Sequence, residues 1–359
     1  MNQYFLLHIV LPFLVTAALS YAVTPLVISL AWKLGIIDDP KKSSHPKTIH
    51  TKPIPRGGGL AIGIAILVSS IIFLPLNGHL KGILSGALIL VVMGLIDDKK
   101  NLNPYLRLVV QFVAAACPII AGIGIAYVSN PAGGILDVSN PQLSFELFGQ
   151  TRTLWILSDL FALLWIVTLM NFINMGAKGV AGQLTGVVMI AALFIAVLSL
   201  QYSADIAEWP VTILSAITAG AFAGFLPFHV EPQKIMPSFA GSNLAGFMLG
   251  VLSILTTTKV GTLAVVLAVP LIDTFYTVIR RILQGKSPVW GDRGHLHHKL
   301  LDRGWSTNRI AYFYWAVTAT LGIASLYLNT GMKLLTILLI GVTLAIFLIW
   351  IQFKKRSSD

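Results

Sequence analysis

Lys81-Gly-Ile-Leu-Ser-Gly-Ala-Leu-Ile-Leu-Val-Val-Met-Gly-Leu-Ile-Asp-Asp-Lys-Lys100 is the stretch whose reading decides the fold. Gly82 to Ile96 carries no charge, and then four charges arrive together. A helix on the surface of a water-soluble protein keeps a polar face along its whole length. Here Ser85 alone interrupts the apolar run. The segment reads as a helix in lipid that reaches the bilayer surface at Asp97. Working outward, the other segments have the same character. Of 359 residues 56% are apolar and 11% charged, against roughly 45–50% and 25% in soluble proteins. Mean hydropathy is +0.81. These figures exclude a soluble globular protein, because too much apolar area would face water.

A span needs about 20 mostly apolar residues. Cutting at charges and at Pro or Gly gives eleven candidates, roughly 4–32, 58–75, 81–96, 106–128, 154–173, 179–201, 209–228, 241–257, 260–283, 310–329 and 332–353. The expected fold is all-α and polytopic, a single transmembrane domain over 1–359. The net charge of +11 tests the count. Loops 33–57, 97–105, 174–178, 229–240 and 280–309, with the carboxyl-terminal tail, hold 20 of the 25 Lys and Arg residues. By the positive-inside rule that face is cytoplasmic, the amino terminus lies outside and the carboxyl terminus inside. The basic excess therefore reports topology and not nucleic acid. The apolar run Tyr4–Trp32 is too long for a secretory h-region and lacks a basic n-region, so no cleaved signal is expected. Cys117 is the single cysteine and excludes an intramolecular disulfide. On the outer face, Leu143, Phe145 and Leu147 alternate with polar residues between Pro141 and Gly149. That pattern predicts a short periplasmic or extracellular hairpin lying on the membrane.

The chemistry gathers on the cytoplasmic face. Six of the eight histidines fall in its loops: His45, His50, His229, His295, His297 and His298. Gly94-Leu-Ile-Asp97-Asp98-Lys99-Lys100 sets two carboxylates at a membrane boundary, where a cation, a metal or water must compensate them. Such hard oxygens suit Mg²⁺ held together with substrate phosphates, although the same string is also an ordinary way to end a helix in water. Asn171-Phe-Ile-Asn174 puts two amides on one helix face, to bind a ligand or to cap the helix. Gly291-Asp292-Arg293-Gly294-His295-Leu296-His297-His298 offers a guanidinium and imidazoles to an anion. Zinc is the competing reading, but no cysteine or spaced carboxylate completes that site. If the segment is helical, His295 and His298 share a face and His297 turns away. His50-Thr-Lys52-Pro-Ile-Pro55-Arg56-Gly57-Gly58-Gly59 adds basic residues and flexible backbone suited to a diphosphate or lipid phosphate. Asp273, well inside span nine, is expected to face the bundle interior as a pairing or functional carboxylate, and Asp159 has the same ambiguity.

In this order the motifs resemble the polyprenyl-phosphate N-acetylhexosamine-1-phosphate transferase family, glycosyltransferase family 4. The last motif is similar to the branch that uses UDP-N-acetylglucosamine. The resemblance covers nearly the whole chain. It implies transfer of N-acetylhexosamine-1-phosphate from a UDP-sugar to polyprenyl (undecaprenyl) phosphate in the cytoplasmic membrane, releasing UMP, for cell-envelope polysaccharide synthesis. Asp97 and Asp98 would then be catalytic, positioning or deprotonating the lipid phosphate and holding Mg²⁺. Substrate binding would fall to Arg56, Arg107, Gln111, Asn171, Asn174, Lys178, Asp292, Arg293, His295, His297 and His298. The implied partners are polyprenyl phosphate, a UDP-sugar, the lipid bilayer and a second copy of the chain, with no nucleic acid.

Two stretches depart from the family pattern. Where Asp-Gly-x-Asp-Gly is expected after the asparagines, Gly176-Ala-Lys178-Gly179-Val-Ala181-Gly182 stands. Lys234-Ile-Met-Pro-Ser238-Phe239-Ala240-Gly241-Ser242 puts Phe239 at an expected Asp. Phenylalanine cannot ligate Mg²⁺ and alanine cannot act as a base. The alternative function is therefore a catalytically silent member that binds lipid phosphate or nucleotide as a partner or regulator. A secondary transporter is a third reading, which the loop-borne motifs and the lack of an inverted repeat disfavour.

Overall fold

The computed structural model describes residues 3–41, 49–125, 127–130, 134–147, 150–201, 209–255, 259–287 and 293–356. Its elements are α1 (Gln3–Leu34), β1 (Ile37–Asp38), β2 (Ile54–Pro55), α2 (Gly58–Phe73), α3 (Gly78–Lys100), α4 (Pro104–Ile120), β3 (Tyr127–Ser129), β4 (Ile135–Asp137), β5 (Gln142–Leu147), β6 (Gln150–Trp155), α5 (Ile156–Gly176), α6 (Gln183–Gln201) and α7 (Trp209–His229). Then follow α8 (Ser238–Ile254), α9 (Lys259–Val266), α10 (Ala268–Leu283), α11 (Leu296–Leu301), α12 (Thr307–Tyr327) and α13 (Thr330–Arg356). The fold is all-α and polytopic, as the composition predicts.

Each of the eleven expected spans coincides with apolar helix. Among the described residues seven helices are long and apolar enough to cross a membrane, and an eighth span results if α9 and α10 count as one, bent by 82°. The helices α2, α4 and α8 are shorter apolar helices of 16 or 17 residues. By length and composition the count is thus seven or eight, where the sequence led us to expect eleven. The bend between α9 and α10 has a local cause in Pro270, which lacks the N–H that would reach back to the Val266 carbonyl. Side-chain amides or a hydroxyl cap the starts of α3, α4 and α12. Asn77 accepts from Leu80 N at 2.9 Å, Asn103 from Tyr105 N at 2.9 Å ahead of Pro104, and Ser306 from Arg309 N at 3.3 Å.

Helix α8 sits at the centre, with all 17 of its residues buried. Lipid tails provide no hydrophobic drive for helices to associate, so close backbone packing through small residues does this work. A Cβ on Gly246 would lie 2.4 Å from Met170 Cα of α5, and one on Gly94 of α3 would lie 2.3 Å from Ala240 Cβ. From α2, Gly59 approaches Gly241 N in the same way. These contacts fix the start of α2 and the end of α3 against the start of α8. Large apolar side chains cover the outside, Leu26, Ile72, Val109 and Ile346 among them, each more than half exposed and suited to acyl chains.

The hairpin expected around Leu143 is present as β5 and β6, paired antiparallel with Leu143 opposite Leu154, and β3 and β4 form a smaller ladder beside it in sequence. Between α1 and α2 in sequence β1 pairs with β2, and Met236 N donates to Pro55 O while Gly58 N donates to Met236 O. The loop before α8 is thereby stitched to the start of α2.

Candidate active site

Asp97 and Asp98 end α3 and are both buried. Asp97 Oδ1 accepts from Arg107 Nε of α4 at 2.6 Å and from Leu102 N at 3.0 Å. Asp98 Oδ1 accepts from Arg56 Nη2 and from Phe239 N, each at 3.3 Å. The other oxygens, Asp97 Oδ2 and Asp98 Oδ2, are buried without a hydrogen-bond partner. Arg56 also donates to Asn101 Oδ1 at 2.8 Å, and Arg107 lies over the Phe239 ring at 5.2 Å. Successive helical residues project about 100° apart, which is why the adjacent acids meet different partners.

Beside this pair, Gln111 and the two asparagines tie three helices together. Gln111 donates to Asn243 Oδ1 and accepts from Asn171 Nδ2 at 2.8 Å, while Asn174 Oδ1 accepts from Ser242 Oγ at 2.7 Å. Neither asparagine is a simple helix cap, since both bridge α5 to neighbouring helices. Asn243 and Ser242 escaped the sequence reading. The signal available was two adjacent polar residues in a mostly apolar helix.

The loop between α5 and α6 brings in Lys178. Its Nζ donates to Ser238 O at 3.3 Å, and its charge acts on both Asp98 and His229. Gln183 holds the loop's shape: Oε1 accepts from Gly179 N and Val180 N, and Nε2 donates to Gly176 O. Gly179 has no room for a side chain, because a Cβ there would lie 2.1 Å from the His297 ring. The histidine loop therefore abuts the Lys178 turn.

Within that loop Asp273 of α10 is the anchor. Its Oδ2 meets His295 Nδ1 at 2.9 Å and its Oδ1 accepts from Leu296 N at 2.8 Å. The intramembrane carboxylate faces the interior and is paired, as its cost in lipid requires. His295 precedes α11 rather than lying within it, so the expected helical division of the three histidines fails. His297 is not turned away: its ring stacks at 5.5 Å from His295 and lies 4.4 Å from His298, and all three are buried. Arg293 is half-exposed and pairs with Asp302 at 3.0 Å. Asp292 and His45 lie outside the described residues. The chain of contacts Arg107–Asp97, Asp98–Phe239, Ser238–Lys178, Gly179–His297 and His295–Asp273 joins the separate motifs into one cluster.

Against Arg56 a cavity of about 300 Å³ opens, lined by Leu30, Leu34, Leu60, Leu95 and Ile96, with Lys99 and Lys100 also in its wall. It is apolar with a basic edge, the combination that a lipid bearing an anionic head presents in reverse.

The donor set does not fit an octahedral Mg²⁺ site. One oxygen of each acid is left without a partner, and three fixed cations, Arg56, Arg107 and Lys178, already act on the two acids. Among the described residues no group of three His, Cys, Asp or Glu side chains is placed to share an ion.

Residues 80–257 match the family model described as glycosyl transferase family 4. The decaprenyl-phosphate N-acetylglucosaminephosphotransferase of Mycolicibacterium smegmatis is 28% identical over 96% of this chain and 89% of its own length. The protein of that name from Mycobacterium tuberculosis (strain H37Rv) is 27% identical over the same shares. The undecaprenyl-phosphate alpha-N-acetylglucosaminyl 1-phosphate transferase of Pasteurella multocida is 27% identical over 82% of this chain and 80% of its own length. The matched segment holds Asp97, Asp98, Arg107, Gln111, Asn171, Asn174 and Lys178, and over it the chain is similar to glycosyl transferase family 4.

Proposed function

We propose that this protein transfers N-acetylglucosamine-1-phosphate from UDP-N-acetylglucosamine to polyprenyl phosphate at the cytoplasmic face of the cell membrane, with its amino terminus outside and its carboxyl terminus inside. One observation carries the reading. The buried Asp97–Asp98 pair is braced by Arg56, which also lines the basic-edged apolar cavity, and the Lys178 turn and histidine loop close on the other side. An acceptor lipid has a route from the bilayer, and a nucleotide sugar has one from the cytoplasm. The names of the relatives support the same pair of substrates.

In this reaction a lipid-phosphate oxygen attacks the phosphorus that bears the sugar. The bond from that phosphorus to the bridging oxygen breaks, and UMP leaves with the electron pair. Asp97 Oδ2 and Asp98 Oδ2 are the acceptors available for a proton from the attacking phosphate. Arg56 and Lys178 offset the charge spread over the transferring phosphoryl group, and a preorganised site does so without reorganisation cost. Gln111, Asn171 and Asn174 hold α4, α5 and α8 in register around it.

A second reading has its own observation: the Phe239 ring lies under Arg107, where the family pattern has a carboxylate. A catalytically silent member would bind the nucleotide or lipid phosphate without turnover. Incubating the purified protein in bilayer discs with labelled UDP-N-acetylglucosamine and undecaprenyl phosphate tests both. Labelled lipid product supports transfer. Binding with no product across several UDP-sugars and divalent ions overturns transfer in favour of the silent member.

A further inference from the structure

The charges around Asp97 and Asp98 are arranged for an anion that arrives without an accompanying metal. A divalent ion between substrate phosphates and protein carboxylates needs surplus negative charge on the protein side. Here each acid already has a partner: the Arg107 Nε at 2.6 Å for Asp97 and the Arg56 Nη2 at 3.3 Å for Asp98. Lys178 adds a third cation that acts on Asp98. Three fixed positive charges against two carboxylates leave a net positive site before any ion enters. A divalent cation would add two more charges to a buried, like-charged place.

Lys178 is also held where it is, and not merely near. Its ammonium donates to Ser238 O, the residue next to the Phe239 N–H that binds Asp98. The turn that carries it is pinned by three hydrogen bonds of Gln183. At Gly179 the turn is pressed against His297, so the cation lies between the acid pair and the histidine loop. A fixed ammonium at that place can contact the oxygens of a diphosphate directly.

We propose that this site receives a diphosphate without a divalent cation, with the Lys178 ammonium, assisted by Arg56 and Arg107, supplying the positive charge that an ion would otherwise bring. The inference rests on the function proposed above only in placing a nucleoside diphosphate here. It does not depend on turnover.

The test uses the full chain in bilayer discs and UDP as the probe, with affinity measured by calorimetry in Mg²⁺ and in EDTA. The expected result is the same affinity within about twofold in both conditions. Lys178→Ala should weaken binding about tenfold or more in both, the loss expected for one charge-assisted contact, and Lys178→Arg should retain most of it. Mn²⁺ with UDP should give no stoichiometric protein-bound signal in electron paramagnetic resonance. Binding of UDP that requires Mg²⁺, or one tightly bound Mn²⁺ per chain, overturns the inference and leaves the proposed function standing. Equal affinity of Lys178→Ala and the parent also overturns it. No UDP binding in either condition removes the nucleotide site itself, and the proposed function with it.

Discussion

Replacing Gly94 with alanine tests the packing on which the site depends. The new Cβ would stand 2.3 Å from Ala240 Cβ, 2.5 Å from Ala240 Cα and 2.9 Å from Ala240 N. Ordinary carbon contacts begin near 3.5 Å, so α3 and α8 must separate by roughly 1 Å. The obstacle is mostly backbone, and overpacking of that kind costs up to about 3 kcal/mol. Alanine recovers about 1 kcal/mol of helix propensity over glycine, which leaves a net loss of about 2 kcal/mol. The same displacement stretches the Asp98 Oδ1 to Phe239 N contact from 3.3 Å beyond hydrogen-bonding distance. Thermal unfolding in detergent should therefore show a clear drop for Gly94→Ala together with weaker UDP binding. Gly78→Ala on the same helix is the control, since nothing lies within 4 Å of its would-be Cβ. If the two variants melt alike and bind UDP alike, the close approach of α3 and α8 does not position the site.

Other perturbations separate chemistry from support. Asp97→Asn should lower turnover by about 100-fold or more, the usual worth of a positioned acid or base, and should also lower the melting temperature because it weakens the buried pair with Arg107. Asn243→Ala removes the acceptor for Gln111 and should cost roughly 1–3 kcal/mol by leaving a buried amide unpaired. Its effect should appear in the melting curve of the membrane-extracted protein. Asp273→Ala strands the His295 ring and Leu296 N, whereas Asp273→Asn keeps an acceptor for one of them. Limited proteolysis within residues 293–301 should accelerate strongly for the alanine variant and mildly for asparagine.

Helix positions were legible because lipid imposes a simple rule on sequence: uncharged runs become helices, and every expected span contains one. The hairpin around Leu143 was legible from its alternation. Helix length was not, because α2, α4 and α8 stop short at Leu74, Ala121 and Leu255 for reasons of packing and connection that hydropathy does not record. The break before α10 could have been read from Pro270. Site residues with reactive side chains, Asp97, Asp98, Lys178 and the histidines, stood out as polar groups at the ends of apolar runs or in the loops between them. Asp273 stood out as a carboxylate within an apolar span, but its partner did not, since it lies 22 positions away; Asn243 did not stand out at all, and it bonds a residue 132 positions away, a pairing that no local pattern marks. His297 illustrates the same point, for helical spacing assigned it a direction that the actual start of α11 at Leu296 makes irrelevant.

The nucleotide released is the most direct measure of the central claim. With the purified chain, labelled UDP-N-acetylglucosamine and undecaprenyl phosphate, chromatography of the water-soluble products should show UMP in equal amount to a lipid that carries both the sugar and a diphosphate. Release of UDP with a lipid monophosphate sugar, or no nucleotide release under any condition, would contradict it.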